Sequence, residues 1–308
     1  MPKWLTVSLL AFSLLLIALG IAFYPTHPTH SQSIPADEMA VNPISIHMIG
    51  TIDPDPFFEQ QQFAPLIEFL NEHLAKHHIR LVTRIPKSPK ELDELIRTDQ
   101  LHWIIDSPAP IGKAAASHPL IPQLIRHKDN RPTYYSIIAV RNDSGIHRLE
   151  DLKGKTLGIE NKWSTSTYAL PAIGLQDAHL TFSLHPTHPE ESVTLIATGD
   201  ENISINEVLA GNITAAAVKS SRYEELSDAR FSQLKIIYQS SPVPRQIIAS
   251  VPGLPPHEVQ QIIQELVNAS QFPQGRKALK KFGKTEAFTR IKDPEKLQQL
   301  LDRLALVP

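Results

Sequence analysis

The segment GIENKWSTSTYALP, Gly158 to Pro171, places four consecutive hydroxyl residues, Ser164 to Thr167, between the end of a strand-like run and the start of a helix-like one. One hydroxyl there has an ordinary use, because Ser and Thr oxygens accept from the free N–H groups of a helix's first turn. The others, with those N–H groups and the positive end of the helix dipole, form a cradle for an anion. Ser164, Thr165 and Ser166 are the candidate donors. They do not suffice alone: a hydrogen bond to a charged group contributes roughly 1.5–3 kcal/mol and a helix terminus roughly 0.3–1. Micromolar capture needs about −8 kcal/mol after an association cost of about 4–15. A second surface must close over the ligand and add donors.

That surface is expected at two turns, GTIDPD after the first strand and DSPAP after the third, because open α/β sheets bind ligands at C-terminal strand ends. Thr51 and Ser107 offer donors there, while Asp53 and Asp106 either recognise an amine or cap their turns. Tyr134 and Tyr135 are neighbours on one strand, whose alternation buries at least one of them. Arg245 in VPRQ offers the planar fork that oxyanions favour, or else an ion pair. His73 and His77 have i,i+4 spacing, but no third ligand accompanies them at metal-site spacing, so solvated histidines and no metal are expected. The chain has no G-x-S-x-G elbow, Walker loop or G-x-G-x-x-G, which makes a hydrolase the weakest reading and leaves no cofactor to expect.

The elements that must position these residues are legible in the 308-residue chain. A formal charge of −2 gives no basic surface to recruit nucleic acid. The absence of cysteine excludes disulfides, thiol nucleophiles and zinc-thiolate sites. Trp4 to Tyr24 runs 21 residues without a charge behind Lys3, which reads as a signal peptide or a retained membrane anchor, with the remainder outside the cytoplasm. The expected location is periplasmic. Residues 25–43 are rich in Pro, Thr, Ser and His and read as a linker.

From Ile44 onward strand and helix patterns alternate: ISIHMI, a helical recurrence at Phe63, Leu66, Ile67 and Leu70, then IRLVTRI. Ser88, Pro89 and Glu91 form a helix-start signal. YYSIIAV, KTLGI, VTLIA, TAAAV and LKIIYQ follow as strands. Such alternation indicates an α/β protein with mainly parallel sheets flanked by helices. Val259, Ile262, Ile263, Leu266 and Val267, and later Leu297, Leu300, Leu301 and Leu304, mark two apolar helical stripes that pack back onto an earlier sheet.

Four segments in this order resemble the periplasmic phosphate, phosphite and phosphonate binding proteins of ABC transporters: FAPLIEFLNEHL, YYSIIAVRNDSGIHRLEDLKGKTLGIENKWSTSTYALP, GDENISINEVLAGNITAAAV and SPVPRQIIAS. The resemblance covers most of residues 44–290. It implies a type 2-like, two-lobed binding protein with the ligand in the cleft at the hinge. Lobe one is then 44–140 plus 243–308 and lobe two 142–238, with crossings near Arg141 and near Gln239 to Pro242. It implies capture of a small tetrahedral oxyanion by a monomer serving a permease or another inner-membrane partner. A retained anchor would instead suit a tethered sensor that signals to a membrane partner. The sequence departs from the family's pattern where Glu201 replaces a common His and Thr214 a common Asp, and Ile111 stands where a Tyr is frequent. A carboxylate at Glu201 repels an oxyanion unless it meets a cationic group on the ligand, accepts from a protonated oxygen or points elsewhere.

Overall fold

The computed structural model describes residues 43–129 and 131–308. The apolar N-terminal run and all of the expected linker except Pro43 lie outside the described residues. Among the described residues, no helix is long and apolar enough to cross a membrane.

In chain order the first part comprises β1 (Ser45–Gly50), α1 (Pro56–Leu74), β2 (Ile79–Thr83), α2 (Pro89–Arg97), β3 (Trp103–Asp106), α3 (Pro108–Ser117) and β4 (Ile121–Lys128). β5 (Thr133–Tyr134) leads to β6 (Ser136–Arg141), β7 (Thr156–Ile159), α4 (Leu170–Asp177), β8 (Thr181–Ser183), β9 (Ser192–Ala197), α5 (Glu201–Ala210), β10 (Ala215–Lys219), α6 (Ser220–Glu224), α7 (Asp228–Phe231) and β11 (Leu234–Gln239). β12 (Val243–Pro244) returns the chain to β13 (Gln246–Ser250), α8 (Pro256–Asn268), α9 (Pro273–Lys281), β14 (Thr285–Arg290) and α10 (Pro294–Ala305).

Local chemistry explains the element starts. The Asp55 side chain accepts from Phe58 N at 3.1 Å ahead of Pro56, and Ser88 accepts from Glu91 N at 3.3 Å ahead of Pro89. α1 then buries Phe63, Leu66, Ile67, Leu70 and Leu74 along one face. That face joins Trp103, Ile262, Leu266 and Phe282 in the first core.

Two six-stranded sheets result, ordered β14-β4-β13-β3-β1-β2 and β11-β6-β10-β7-β9-β8. In each, a strand that arrives from the other lobe runs against both neighbours: β13 against β3 and β4, β6 against β10 and β11. The reason is geometric, since a chain entering from the cleft starts at the C-terminal ends of the parallel strands. The short β5–β12 ladder pairs Tyr134 with Val243 and Thr133 with Pro244 at the passage between sheets.

Ser136–Arg141 therefore belongs to the second sheet, and the first passage lies at Thr133–Tyr135, before the expected crossing near Arg141. The unbroken burial of Ser136 to Val140 marks β6 as a central strand that needs partners on both edges. The C-terminal stripe also reaches further than lobe one. α10 packs on α3 through Leu301, but Leu304 and Val307 enter the second lobe's core beside Tyr168, and Arg303 pairs with Asp177.

Candidate functional site

Lobe one presents the ends of β1, β3 and β4 to the cleft. Asp106 ends β3 and accepts from Thr51 Oγ1 at 3.0 Å, Ile52 N at 3.2 Å, Ser107 N at 2.6 Å and Ser107 Oγ at 3.3 Å. Burial pushes its carboxyl up, and the donated bonds oppose that shift. Asp106 thus braces the two turns, and the Thr51 and Ser107 hydroxyls face it. Asp53 holds its own turn by accepting from Asp55 N at 2.7 Å.

Lobe two presents the hydroxyl turn. Ser164 caps it, accepting from Thr167 N at 3.2 Å, and Thr167 Oγ1 accepts from Glu160 N at 3.1 Å in the core. The turn is wide, with Ala169 N reaching back five residues to Ser164 O at 3.0 Å, a geometry that recurs at functional sites. Thr165 Oγ1 accepts from Ala109 N, in the first turn of α3, at 2.9 Å, so this hydroxyl ties the lobes together. The Ser166 hydroxyl has no hydrogen bond among the described residues and lines the cleft. The Ser164 O–H faces the Glu160 carboxylate on the same cavity wall, which leaves the Ser166 hydroxyl as the donor of this turn open to an anion.

Glu201 Oε1 accepts from the backbone N–H of Lys219 at 2.6 Å, and Oε2 lies 2.9 Å from Lys219 Nζ. Of the uses expected for Glu201, this is the one in which it points elsewhere, and Glu201 is not among the residues that line the cleft. Thr214 donates its backbone N–H to Thr156 Oγ1 at 2.9 Å, at the opposite end of β10 from Lys219. Ile111 is fully buried in the core under α10.

The hinge contributes Tyr134, Arg245 and Gln246. Arg245 lies over the Tyr134 ring at 5.0 Å and 3.5 Å from Asp129 Oδ2. Burial raises the Tyr134 hydroxyl far above its usual range, with Thr165 and Arg245 opposing the shift. Tyr135 turns to the opposite face and packs behind β10.

These groups border two joined cavities. The inner one, about 260 Å³, is lined by Ser107, Tyr134, Glu160, Ser164, Thr165 and Ser166 together with Lys128, Lys219, Arg245 and Gln246. The outer one, about 640 Å³, shares those last four residues and adds Thr51, Asp53, Glu59, Asp106 and Arg126 among others. The structure therefore brings Ser164, Thr165, Ser166, Ser107, Tyr134 and Arg245 together in the inner cavity, with Thr51 and Asp106 in the outer one. Glu201 acts from behind Lys219. His73 lies apart, its Nδ1 2.9 Å from Phe69 O, and no metal-holding cluster of His, Cys, Asp and Glu occurs among the described residues.

The sequence reading passed over Arg126, Lys128, Lys219 and Gln246. Burial pushes Lys128 down to about 8, with Arg126 and Arg245 adding to the shift, and burial lowers Arg126 to about 9. A signal was present for Lys219, a charge that ends the apolar strand AAAVK at the strand ends where ligands bind, whereas Lys128 follows Arg126 and His127 in LIRHK and does not stand out.

The family model described as "ABC transporter, phosphonate, periplasmic substrate-binding protein" matches residues 55–295. Among solved structures, XAC2383 from Xanthomonas citri, seen with chloride and with ATP, is 21% identical and covers 85% of this chain and 98% of its own, with TM-scores of 0.77 and 0.76. PhnD1 from Prochlorococcus marinus with methylphosphonate is 15% identical, covering 83% and 97% of the two chains at a TM-score of 0.60. A binding protein component of an ABC phosphonate transporter from Pseudomonas aeruginosa is 16% identical, covering 84% and 87% at 0.59.

Proposed function

The chain belongs to the phosphonate family of periplasmic substrate-binding proteins of ABC transporters, and from that premise we propose that its inner cavity captures a tetrahedral oxyanion. Members of this family are transporter components that deliver a small ligand to an inner-membrane permease. The observation that carries the proposal is the convergence of the Ser164–Ser166 turn, Ser107 and the Lys128, Lys219 and Arg245 cations on one cavity at the strand ends. Hydroxyls and first-turn N–H groups supply directed donors. The cations supply a field that low-dielectric walls concentrate.

Phosphate, phosphite and phosphonates all fit this chemistry. Methylphosphonate, bound by PhnD1, and ATP, bound by XAC2383, both carry tetrahedral phosphorus oxyanions. The lobes close about the β5–β12 ladder and exclude water from the anion, which strengthens every donor. The apolar run Trp4–Tyr24 serves export or anchoring.

A thermal-shift panel tests the proposal with phosphate, phosphite, methylphosphonate, 2-aminoethylphosphonate and sulfate. A ligand present at about 100 times its Kd adds roughly 2.7 kcal/mol of stability. At least one phosphorus oxyanion is expected to do so. A flat response to all of them contradicts the proposal.

A further inference from the structure

The two joined cavities are larger and more cationic than one small oxyanion needs. Six cations line the outer cavity: Arg126, Lys128, Lys219, Arg222, Arg245 and Lys284. Three carboxylates answer some of them. Glu201 lies 2.9 Å from Lys219, Glu225 2.9 Å from Arg222, and Asp129 is shared between Arg245 at 3.5 Å and Lys284 at 4.0 Å. Asp106 is already engaged by four donors. Lys128 has no carboxylate within salt-bridge distance among the described residues, and Arg245 holds only half of Asp129. Both residues stand where the cavities meet.

We propose that this junction is a second phosphoryl subsite, so that the ligand is an organic ester of pyrophosphate and not a single phosphonate. This rests on the oxyanion reading of the inner cavity. The terminal phosphoryl group sits in the inner cavity against the Ser166 hydroxyl and beside Lys219. The second bridges Lys128, Arg245 and the Gln246 amide. A guanidinium offers two parallel N–H donors to a phosphoryl group, which an ammonium beside it complements as a point charge.

The organic part then occupies the outer cavity. Its volume of about 640 Å³ lies within the range of roughly 300–1,000 Å³ typical of sites for ligands of drug size. Half-exposed Phe58 and Ile52 offer it an apolar face, and Asp53 and Glu59 accept from hydroxyl or amino groups. Burial, with Asp53 nearby, raises the Glu59 carboxyl, as suits a group that meets a neutral donor. The cost of holding Lys128 close to Arg126 and Arg245 is recovered when a polyanion enters, and a monoanion recovers less of it.

Calorimetry on the purified full chain tests this with phosphate, methylphosphonate, pyrophosphate, AMP and ADP. Pyrophosphate and ADP are expected to bind at least tenfold more tightly than phosphate, methylphosphonate and AMP. Lys128→Met, shown by circular dichroism to be folded, is expected to reduce that advantage below threefold. Ser166→Ala is expected to weaken phosphate and pyrophosphate alike. Phosphate or methylphosphonate binding as tightly as pyrophosphate and ADP overturns the second subsite and leaves the oxyanion reading standing. An undiminished pyrophosphate advantage in Lys128→Met also overturns it. Binding of none of the five overturns both.

Discussion

Glu201 grips Lys219 twice, once through the lysine's own backbone N–H at 2.6 Å and once through its ammonium at 2.9 Å. Glu201 is buried, and Lys219 reaches the cleft from the end of β10. The carboxylate therefore fixes a cation on the cleft wall and also offsets part of its charge.

Glu201→Gln separates these effects. Losing the charged partner of a buried group costs about 1–3 kcal/mol, so thermal unfolding moves to lower temperature. The same change removes a negative charge from beside the anion, so oxyanion affinity is expected to hold or increase. Lys219→Met is expected to lose affinity. A tenfold loss in Glu201→Gln would show that orientation of Lys219 outweighs its charge.

Lys128 gives binding a pH dependence. Its free-state value of about 8 arises from burial and from Arg126, Arg245 and Lys219, with Asp129 opposing, and Lys284 lies on the neighbouring turn. The cationic form binds the anion, so affinity is expected to fall as pH rises through about 8. A bound anion raises the value, so binding near and just above pH 8 takes up protons. Calorimetry in buffers of different ionisation enthalpy measures this uptake, and Lys128→Met should abolish it. Equal heats in all buffers would remove Lys128 from the site.

Away from the cleft, His47 sets an acid limit to stability. It is buried, its Nδ1 faces Trp103 Nε1 at 3.5 Å, its Nε2 lies 2.6 Å from Glu258, and Ser45 and His102 complete its surroundings. Burial lowers its affinity for a proton, with Glu258 opposing in part. The unfolded chain then binds the proton first as pH falls below about 6.5. The contribution is full above that pH and is lost below it. His47→Asn should flatten the fall in Tm between pH 7 and pH 5, and an unchanged slope would assign the acid sensitivity elsewhere.

Leu304 is fully buried, projecting from α10 into the second lobe's core. Leu304→Ala is expected to cost about 2–5 kcal/mol, read by denaturant unfolding. A cost below about 1 kcal/mol would mean that the contact closes over the cavity without consequence.

The fold was legible because its signals are local. Ser88 with Pro89, the helical recurrence from Phe63 to Leu70 and the apolar runs of β6 and β10 specify elements through their own side chains. The hydroxyl turn was legible for the same reason. Where β6 belongs was not, because YYSIIAV has the same pattern in either sheet and only the break at Tyr135 separates ladder from strand. The cations were hidden by sequence distance. Lys128 and Lys219 are 91 positions apart, and only the facing of two sheets puts both on one cavity. Glu201 looked repulsive because its partner, 18 positions on, gives no local sign of the pairing.

Ser166 provides the most direct test of the central claim, since its hydroxyl has no hydrogen bond among the described residues to lose. Titration calorimetry with phosphate and methylphosphonate on the wild-type protein and Ser166→Ala, both of unchanged Tm, isolates its contact with the anion. A bond to a charged group contributes roughly 1.5–3 kcal/mol, so affinity should fall by about tenfold or more. Equal affinity in the two proteins would place the oxyanion somewhere other than the hydroxyl-lined cavity.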